Sequence, residues 1–285
     1  MKFTVCIPTL NARSTWTDFS AALRSQSAKP DEIVVLDSES DDGTAELAER
    51  DGFRVVRIAR RDFRHGATRQ MAVDTSADAD ILVYLTQDAL LASRDAISIL
   101  LRAFENPKVG AAYGRQLPRK GARLIEIHAR LFNYPPVSGL RSAESITTLG
   151  FKAIFFSNSF GAYRRHALQA VGGFPLDVNF GEDTVVAARL ISEGWEIAYV
   201  AEAQVFHSHD YTCQEEFRRY KRVGALHAGH PWLVREFGGT SGEGLRFVKS
   251  EMRFLAKSAP PLIPSAILRT ICKFLGYRLG LAFKP

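Results

Sequence analysis

Short apolar runs alternate with longer amphipathic segments between residues 3 and 85. The apolar runs are "FTVCI" at 3–7, "EIVVL" at 32–36, "RVVRI" at 54–58 and "DILVYL" at 80–85. Their β-branched and apolar character is typical of strands buried on both faces of a sheet. The helix-compatible segments between them are 15–27, 43–51 and 66–76. This alternation predicts an α/β fold with a mostly parallel, doubly wound sheet flanked by helices.

Polar residues gather where the predicted strands end. The chain reads "PTLN" at 8–11, "DSESDDGT" at 37–44 and "TQD" at 86–88. In doubly wound sheets, ligands bind at the carboxyl ends of the strands. A single polar residue there can be a helix N-cap, and this is the alternative role of Ser40 or Asp42. Three polar clusters at one edge nevertheless predict a ligand site.

Two common nucleotide-binding motifs are missing from the sequence. No GxGxxG follows the first predicted strand, and GxxxxGK[ST] occurs nowhere in the chain. These motifs form the usual dinucleotide cradle and the P-loop. Their absence argues against an oxidoreductase or an NTPase.

Seven short motifs follow one another between residues 3 and 212. They are "VCIPTLNA", "VVLDSESDDGT", "FRHGATRQMA", "TQDA", "AYRRHALQAVGGF", "GEDTVVAARLISEGW" and "VFHSHDYT". In this order they resemble the family 2 glycosyltransferases of GT-A fold, and within them the bacterial rhamnosyltransferases that build O-antigen and related polysaccharides. The resemblance implies a GT-A type fold, a nucleotide-sugar donor and transfer to a saccharide with inversion.

The resemblance also implies a divalent cation, Mg²⁺ or Mn²⁺, as cofactor. Such a cation stabilises a departing nucleoside diphosphate as a Lewis acid. Asp88 is the expected carboxylate ligand, although Thr86 stands where the common family pattern has a first aspartate. The form "TQD" is typical of the rhamnosyltransferase branch. His207 is the expected imidazole ligand in preference to His209, with a pair of surface or hydrogen-bonding histidines as the alternative.

Further residues receive nucleotide-binding roles from the resemblance. Thr9 and Asp37 are expected at the nucleobase and ribose, with the Asp37 carboxylate accepting from the pyrimidine N3–H. Arg69, Gln87 and Asp88 are expected to contact the nucleotide as well. The alternative for Arg69 is a structural ion pair with Asp37 or Asp88.

An inverting transfer needs a carboxylate that removes the proton of the acceptor hydroxyl. The resemblance assigns this role to Asp183, within "GEDTVVAARLIS", and makes Glu182 an acceptor-binding or orienting residue. Asp183 also precedes a helical segment. A purely structural N-cap is therefore its alternative role.

The positive charge of the chain lies in its C-terminal part. Residues 1–209 contain 24 Lys and Arg against 25 Asp and Glu, whereas residues 210–285 contain 13 against 6. Segments 214–228, 243–258 and 263–283 are helix-compatible, and the last combines apolar residues with Arg269 and Lys273. This pattern predicts an interfacial helix on an anionic membrane surface. Packing on the catalytic domain or a homodimer is the alternative, and nucleic acid is not an expected partner.

We therefore expect a catalytic domain at 1–210, with a nucleotide-sugar half at about 1–115 and an acceptor half at about 116–210, followed by a basic helical extension at 211–285. The expected location is the cytoplasm or the inner face of the plasma membrane, because "MKFTVCIPTLNAR" is unlike a secretory signal.

The expected function is metal-dependent, inverting transfer of L-rhamnose from dTDP-rhamnose to a lipid-linked saccharide. One alternative is a glycosyltransferase that uses a UDP- or GDP-linked sugar. The other is a catalytically silent nucleotide-sugar-binding scaffold. The missing first aspartate favours the scaffold, whereas Asp88, Asp183 and His207 count against it.

Overall fold

The computed structural model describes residues 1–239 and 241–282, with only the backbone described at Ser241. The chain forms two compact units. The first unit contains residues 1–116, 136–143 and 155–207. The second contains residues 117–135 and 144–154 together with the chain from Ser208 onward. The domain boundaries expected at residues 115 and 210 stay predictions.

Within the described residues, nine strands form one sheet. They are β1 (Phe3–Thr9), β2 (Glu32–Asp37), β3 (Arg54–Arg57), β4 (Ile81–Leu85), β5 (Leu90–Leu91), β6 (Val109–Leu117), β7 (Gly139–Arg141), β8 (Phe160–Arg164) and β9 (Glu196–Phe206). Their order across the sheet is β3-β2-β1-β4-β8-β6-β9-β5, and β7 pairs with β9. The strands predicted in the first 85 residues are all present.

The helices occupy the connections and the C-terminal part of the chain. They are α1 (Arg13–Arg24), α2 (Thr44–Arg50), α3 (His65–Thr75), α4 (Ala96–Leu101), α5 (Leu124–Asn133), α6 (Ile146–Leu149), α7 (Arg165–Ala170), α8 (Glu182–Ser192), α9 (Cys213–Gly229), α10 (Pro231–Phe237), α11 (Ser241–Ser258) and α12 (Ile263–Ala282). Helices α4, α5, α6 and α10 were not predicted. The predicted end of the last helix, residue 283, lies outside the described residues.

The sheet is mixed, which corrects the expectation of a mostly parallel one. The pairings among β1, β2, β3 and β4 are parallel. Strand β8 then enters antiparallel between β4 and β6, and β9 pairs antiparallel with β5 and β7. Parallel neighbours need long crossover connections, and the strand–helix alternation that provides them does not continue regularly beyond β4.

The core of the first unit explains why the early strands read as continuous apolar runs. Val5, Ile7, Ile81 and Val83 are fully buried in the central strands. The amphipathic α1 adds Trp16, Phe19 and Leu23 to the same core. Burying such side chains stabilises the fold by roughly 1.5–3 kcal/mol each before entropy is subtracted. The rigid layer fixes the loops that follow β1, β2 and β4.

In the second unit, α9 and α12 pack through glycines. A Cβ on Gly276 would lie 2.3 Å from the Phe217 carbonyl oxygen, and one on Gly280 would lie 2.1 Å from that of Lys221. Such distances leave no room for a side chain, so the two backbones approach closely. Among the described residues, none of the helices combines the length and the hydrophobicity needed to cross a membrane.

Candidate active site

The ends of β1 and β2 bring Thr9 and Asp37 together. These residues are register partners, and the Thr9 hydroxyl donates to Asp37 Oδ1 at 3.0 Å. The hydroxyl and backbone N–H of Ser40 donate to Oδ1 and Oδ2 at 2.6 and 2.9 Å. Both Thr9 and Asp37 are buried. A carboxylate oxygen can accept a second donor, so this arrangement leaves Asp37 able to bind an N–H of a nucleobase.

Gln87 joins the end of β4 to the end of β1. Its amide oxygen accepts from the Leu10 backbone N–H at 2.7 Å, and its amide nitrogen donates to the Leu10 carbonyl at 2.9 Å. This pair of bonds holds the edge that carries Thr9 and Asp88. A direct nucleotide contact of Gln87 stays a prediction.

Two buried hydroxyls at the same edge have no hydrogen-bond partner among the described residues. They belong to Ser38, next to Asp37, and to Thr86, two residues before Asp88. Buried polar groups normally have partners, because leaving one unsatisfied costs about 1–3 kcal/mol. Orphaned hydroxyls at the carboxyl edge fit a site that a polar ligand completes.

Asp88 and His207 lie side by side. His207 Nε2 is 3.4 Å from Asp88 Oδ2. The pairing of β5 with β9 explains this contact, because Leu90 lies opposite Phe206 and the antiparallel register brings the preceding Asp88 back beside His207. His209, the alternative imidazole, belongs to the second unit.

Gln116 fixes the orientation of the His207 ring. The Gln116 amide nitrogen donates to the Ser157 hydroxyl at 2.8 Å, so its carbonyl oxygen faces His207 Nδ1 at 3.0 Å. The contact with Gln116 occupies Nδ1, so Nε2 is the ring nitrogen that faces Asp88. Metal-binding histidines commonly have such a fixed second nitrogen.

Asp88 and His207 fit a divalent cation. Each offers one ligand atom, and these atoms lie within 4.8 Å of one another. A carboxylate oxygen with one imidazole suits Mn²⁺ and is compatible with Mg²⁺, which also binds phosphate oxygens and water.

Glu182 and Asp183 begin α8 in different surroundings. Glu182 is buried and pairs with the buried Arg69 at 3.0 Å, and it also accepts from Asn158 Nδ2 at 3.1 Å. Arg69 thus pairs with Glu182, whereas Asp37 and Asp88 were the partners expected for a structural ion pair. Direct contacts of Arg69 with the nucleotide and of Glu182 with the acceptor stay predictions.

Asp183 is half-buried and is not the N-cap of α8, because that position belongs to Gly181. Its Oδ1 accepts from the Thr184 backbone N–H at 2.8 Å, and its Oδ2 lies 3.4 Å from the backbone N–H of Asn158. The purely structural capping role considered for Asp183 therefore does not apply. The role of Asp183 as general base stays a prediction.

The two neighbouring carboxylates have opposite pKa shifts. Burial alone would raise the pKa of Glu182, but the Arg69 guanidinium holds it below the usual range. Burial and the negative charge of Glu182 raise the pKa of Asp183 to about 7, against the opposing effect of Arg69. A carboxylate with a pKa near neutrality is a suitable general base.

The segment Ser157–Ser159 links the groups of the site. Ser157 binds Gln116 behind His207, Asn158 contacts both Asp183 and Glu182, and the Ser159 carbonyl accepts from Thr86 N–H at 3.3 Å. The antiparallel β8 places this segment there, because Phe160 lies opposite Leu85 at the end of β4. Asp88, His207 and Asp183 therefore lie on one edge of the first unit.

Sequence reasoning missed Gln116, Ser157 and Asn158. A signal was present, because the polar triplet "SNS" interrupts the apolar run "AIFFSNSFGAY" at 153–163. Asn158 is buried, and its side-chain oxygen accepts from the buried Tyr163 hydroxyl at 2.8 Å. A polar triplet within an apolar run indicates buried polar groups with fixed partners.

Known proteins resemble this chain over most of its length. Residues 4–172 match the family described as Glycosyl transferase family 2. The chain is 48% identical to the O-antigen chain rhamnosyltransferase RfbN of Salmonella typhimurium, across 98% of this chain and 90% of that protein. It is 45% identical to the O-antigen chain rhamnosyltransferase WbaN of Salmonella anatum, across 98% and 89%.

Solved structures show the same fold at low sequence identity. A mannosyltransferase of Pyrobaculum calidifontis, in complex with GDP-Man and Mn²⁺, aligns with a TM-score of 0.65 at 18% identity, covering 99% of this chain and 86% of that one. TarS of S. aureus, in complex with UDP, aligns with a TM-score of 0.59 at 15% identity, covering 99% and 90%. The fold is thus of the GT-A type, and the chain belongs to glycosyl transferase family 2 and is a glycosyltransferase.

Proposed function

We propose that this glycosyltransferase moves L-rhamnose from dTDP-rhamnose to a lipid-linked saccharide, in the assembly of O-antigen or a related polysaccharide. The names of the two curated relatives support the sugar and the pathway class. The proposed location is the cytoplasm or the inner face of the plasma membrane. One observation supports the mechanism above others: Asp88, His207 and Asp183 are tied to one another through Ser157–Ser159.

In this proposal Asp88 and His207 hold a Mg²⁺ or Mn²⁺ ion. When bound, the ion neutralises charge that develops on the departing diphosphate. Gln116 keeps His207 Nε2 directed toward Asp88. Thr9 and Asp37 bind the nucleoside part of the donor, with Gln87 holding the edge on which they lie.

Asp183 acts as the general base toward the acceptor hydroxyl. The charge of Glu182 raises its proton affinity, and Arg69 keeps Glu182 ionised at the same time. Proton removal by a positioned carboxylate contributes typically about 10²–10⁴-fold in rate. Inversion follows when the deprotonated hydroxyl attacks the face opposite the departing diphosphate.

A donor panel tests the substrate assignment. Calorimetry and thermal shift would compare dTDP-, UDP- and GDP-sugars with Mn²⁺ and with a chelator. We expect dTDP-rhamnose to bind most tightly and to lose most of its affinity with the chelator. Preference for a UDP- or GDP-sugar would overturn the donor, and donor binding without any transfer to lipid-linked saccharide would favour the silent scaffold.

The Asp183→Asn variant tests the base. The amide cannot take a proton, so turnover should fall by about 10²–10⁴-fold while donor affinity stays within about twofold. Asp177→Asn, at an exposed position in the preceding loop, is the matched control and should retain full turnover. Retained turnover in Asp183→Asn would assign the proton transfer to another group.

A further inference from the structure

One face of α12 is apolar and exposed. The large side chains on this face are Ile267, Leu268, Ile271, Phe274, Leu275 and Leu279. Their spacing of three and four residues places them on one side of the helix. Phe274 is 62% and Leu268 53% exposed, whereas Gly276 and Gly280 on the opposite side are buried against α9. Contiguous exposed apolar surface of this kind marks an interaction site.

The neighbouring α11 carries a row of exposed cations. Lys249, Arg253 and Lys257 follow one another at intervals of four residues and therefore line one side of the helix. Arg246 lies one turn before Lys249 and is also exposed, with an ion pair to Glu243 at 3.5 Å. Glu251, the acidic residue within this stretch, is buried. The exposed charge of the row is positive.

The two helices are close neighbours in the second unit. Only the short segment Ala259–Leu262 separates α11 from α12. The sequence of α12 contains no Asp or Glu, and Arg278 lies among its exposed apolar residues, four positions after Phe274. Apolar surface and basic residues therefore occur together, without exposed carboxylates between Lys249 and Ala282.

We propose that the exposed faces of α11 and α12 dock on the surface of an anionic phospholipid membrane. The apolar side chains of α12 enter the region between headgroups and acyl chains, and the α11 cations meet lipid phosphates. Arg278 extends its guanidinium to the phosphates while its stem lies along the apolar face.

The positive charge of this surface favours a lipid membrane over a second copy of this chain as the binding partner. A two-fold symmetric contact uses the same patch on both copies, so it would place the Lys249, Arg253 and Lys257 rows of both molecules in one interface, without exposed carboxylates from α11 beyond Lys249 or from α12 to pair with them. It would also bury Arg278 against apolar surface, which is costly for a charge without a partner. Anionic headgroups remove both penalties.

Vesicle flotation of the full chain tests the proposal. Wild type should bind phosphatidylcholine vesicles containing phosphatidylglycerol, and should bind pure phosphatidylcholine vesicles much more weakly. K249Q/R253Q/K257Q should bind the anionic vesicles on the order of a hundredfold more weakly, at about one lipid-phosphate interaction per cation. L268S/F274S should weaken binding at least about tenfold through lost apolar burial.

Matched variants in the first unit are the controls. R50Q/R102Q/K108Q removes three exposed cations, and Leu176→Ser removes an apolar side chain that is 61% exposed. Both should bind vesicles like wild type, and thermal unfolding should show that all variants are folded. Flotation needs no sugar donor, so its failure would leave the donor assignment untouched.

Three results would overturn the proposal. The first is equal binding of wild type to both kinds of vesicle, or binding to neither. The second is binding that survives L268S/F274S but not K249Q/R253Q/K257Q, which would indicate a site for a polyanion. The third is a wild-type dimer that becomes monomeric in L268S/F274S without a change in vesicle binding.

Discussion

At the scale of single residues, two neighbouring carboxylates of the site differ in their hydrogen-bond and ion-pair partners. Glu182 is matched by Arg69 and Asn158, whereas Asp183 receives backbone N–H groups and remains half-buried. Interacting titratable groups whose pKa values move apart take different chemical roles. On this basis we propose that Glu182 is the fixed negative charge and that Asp183 is the group that exchanges a proton.

The raised pKa of Asp183 predicts a pH dependence. A base acts when it is deprotonated, so kcat/KM should decrease as the pH falls through about 7, the value to which burial and Glu182 raise this pKa. Initial rates from pH 5 to 9 at saturating metal would measure the profile. Glu182→Gln should move the midpoint to lower pH, because it removes a negative charge next to Asp183. A flat profile would argue against Asp183 as the base.

Gln116 should influence the affinity for the metal ion although it is not one of the proposed ligands. Gln116→Leu removes the hydrogen-bond partner of His207 Nδ1, so the ring loses its fixed orientation. We expect Mn²⁺ affinity, measured by calorimetry with dTDP present, to fall by about 10–100-fold. Gln204→Leu in β9 is the control and should bind Mn²⁺ like wild type. Unchanged affinity in Gln116→Leu would leave Gln116 a purely structural role.

Sequence patterns identified the site residues at strand ends but not the residues that bind and orient the site side chains. Thr9, Asp37 and Asp88 follow apolar runs directly, and this position alone places them at the ligand edge. Gln116 and Asn158 meet His207 and Glu182 across 91 and 24 residues of chain. Pairing at such separation depends on strand order, which local periodicity does not contain.

At the scale of elements, a glycine determines how closely α3 packs on the chain before α8. Gly66 N–H donates to the Val178 carbonyl at 3.1 Å, and a Cβ on Gly66 would lie 1.7 Å from the Pro175 carbonyl oxygen. This contact sets the start of α3 against the loop before α8. The contact fixes the distance between Arg69 and Glu182, one on each helix.

Gly66→Ala should therefore disturb the site through α3. The methyl group forces the backbones apart, with an expected loss of about 1–3 kcal/mol or more in the free energy of unfolding. Chemical denaturation would measure this loss, and the acid limb of the pH profile should shift as the Arg69–Glu182 pair weakens. Gly139→Ala adds its methyl group to open space and should change neither quantity. Equal free energies of unfolding for the two variants would show that α3 accommodates the methyl group without a loss of stability.

The elements differ in whether their own sequence is enough to predict them. The strands and helices up to residue 85 follow from periodicity within each segment, and the predicted ranges agree with the structure within a few residues. The short β5 and β7 exist because they pair with β9, more than 50 residues later. Their own sequences carry too little pattern to indicate a strand.

At the scale of the whole molecule, the order of motifs identified the family, but it did not indicate which internal segments join the C-terminal helices. Segments 117–135 and 144–154 belong with the C-terminal helices rather than with the sheet. They include α5, whose His128 bonds to Ser250 of α11 at 2.9 Å. A polar bond between residues 122 positions apart leaves no trace in local composition.

The most direct test of the account is the affinity for Mn²⁺ of the wild type and of two single variants, Asp88→Asn and His207→Ala, measured by calorimetry with dTDP present. Asp95→Asn and His166→Ala, both at exposed positions of the first unit, are the controls. If Asp88 and His207 share one ion, each variant should lose more than about tenfold in affinity and the double variant little more than either single one. Wild-type affinity in either single variant would contradict a shared ion.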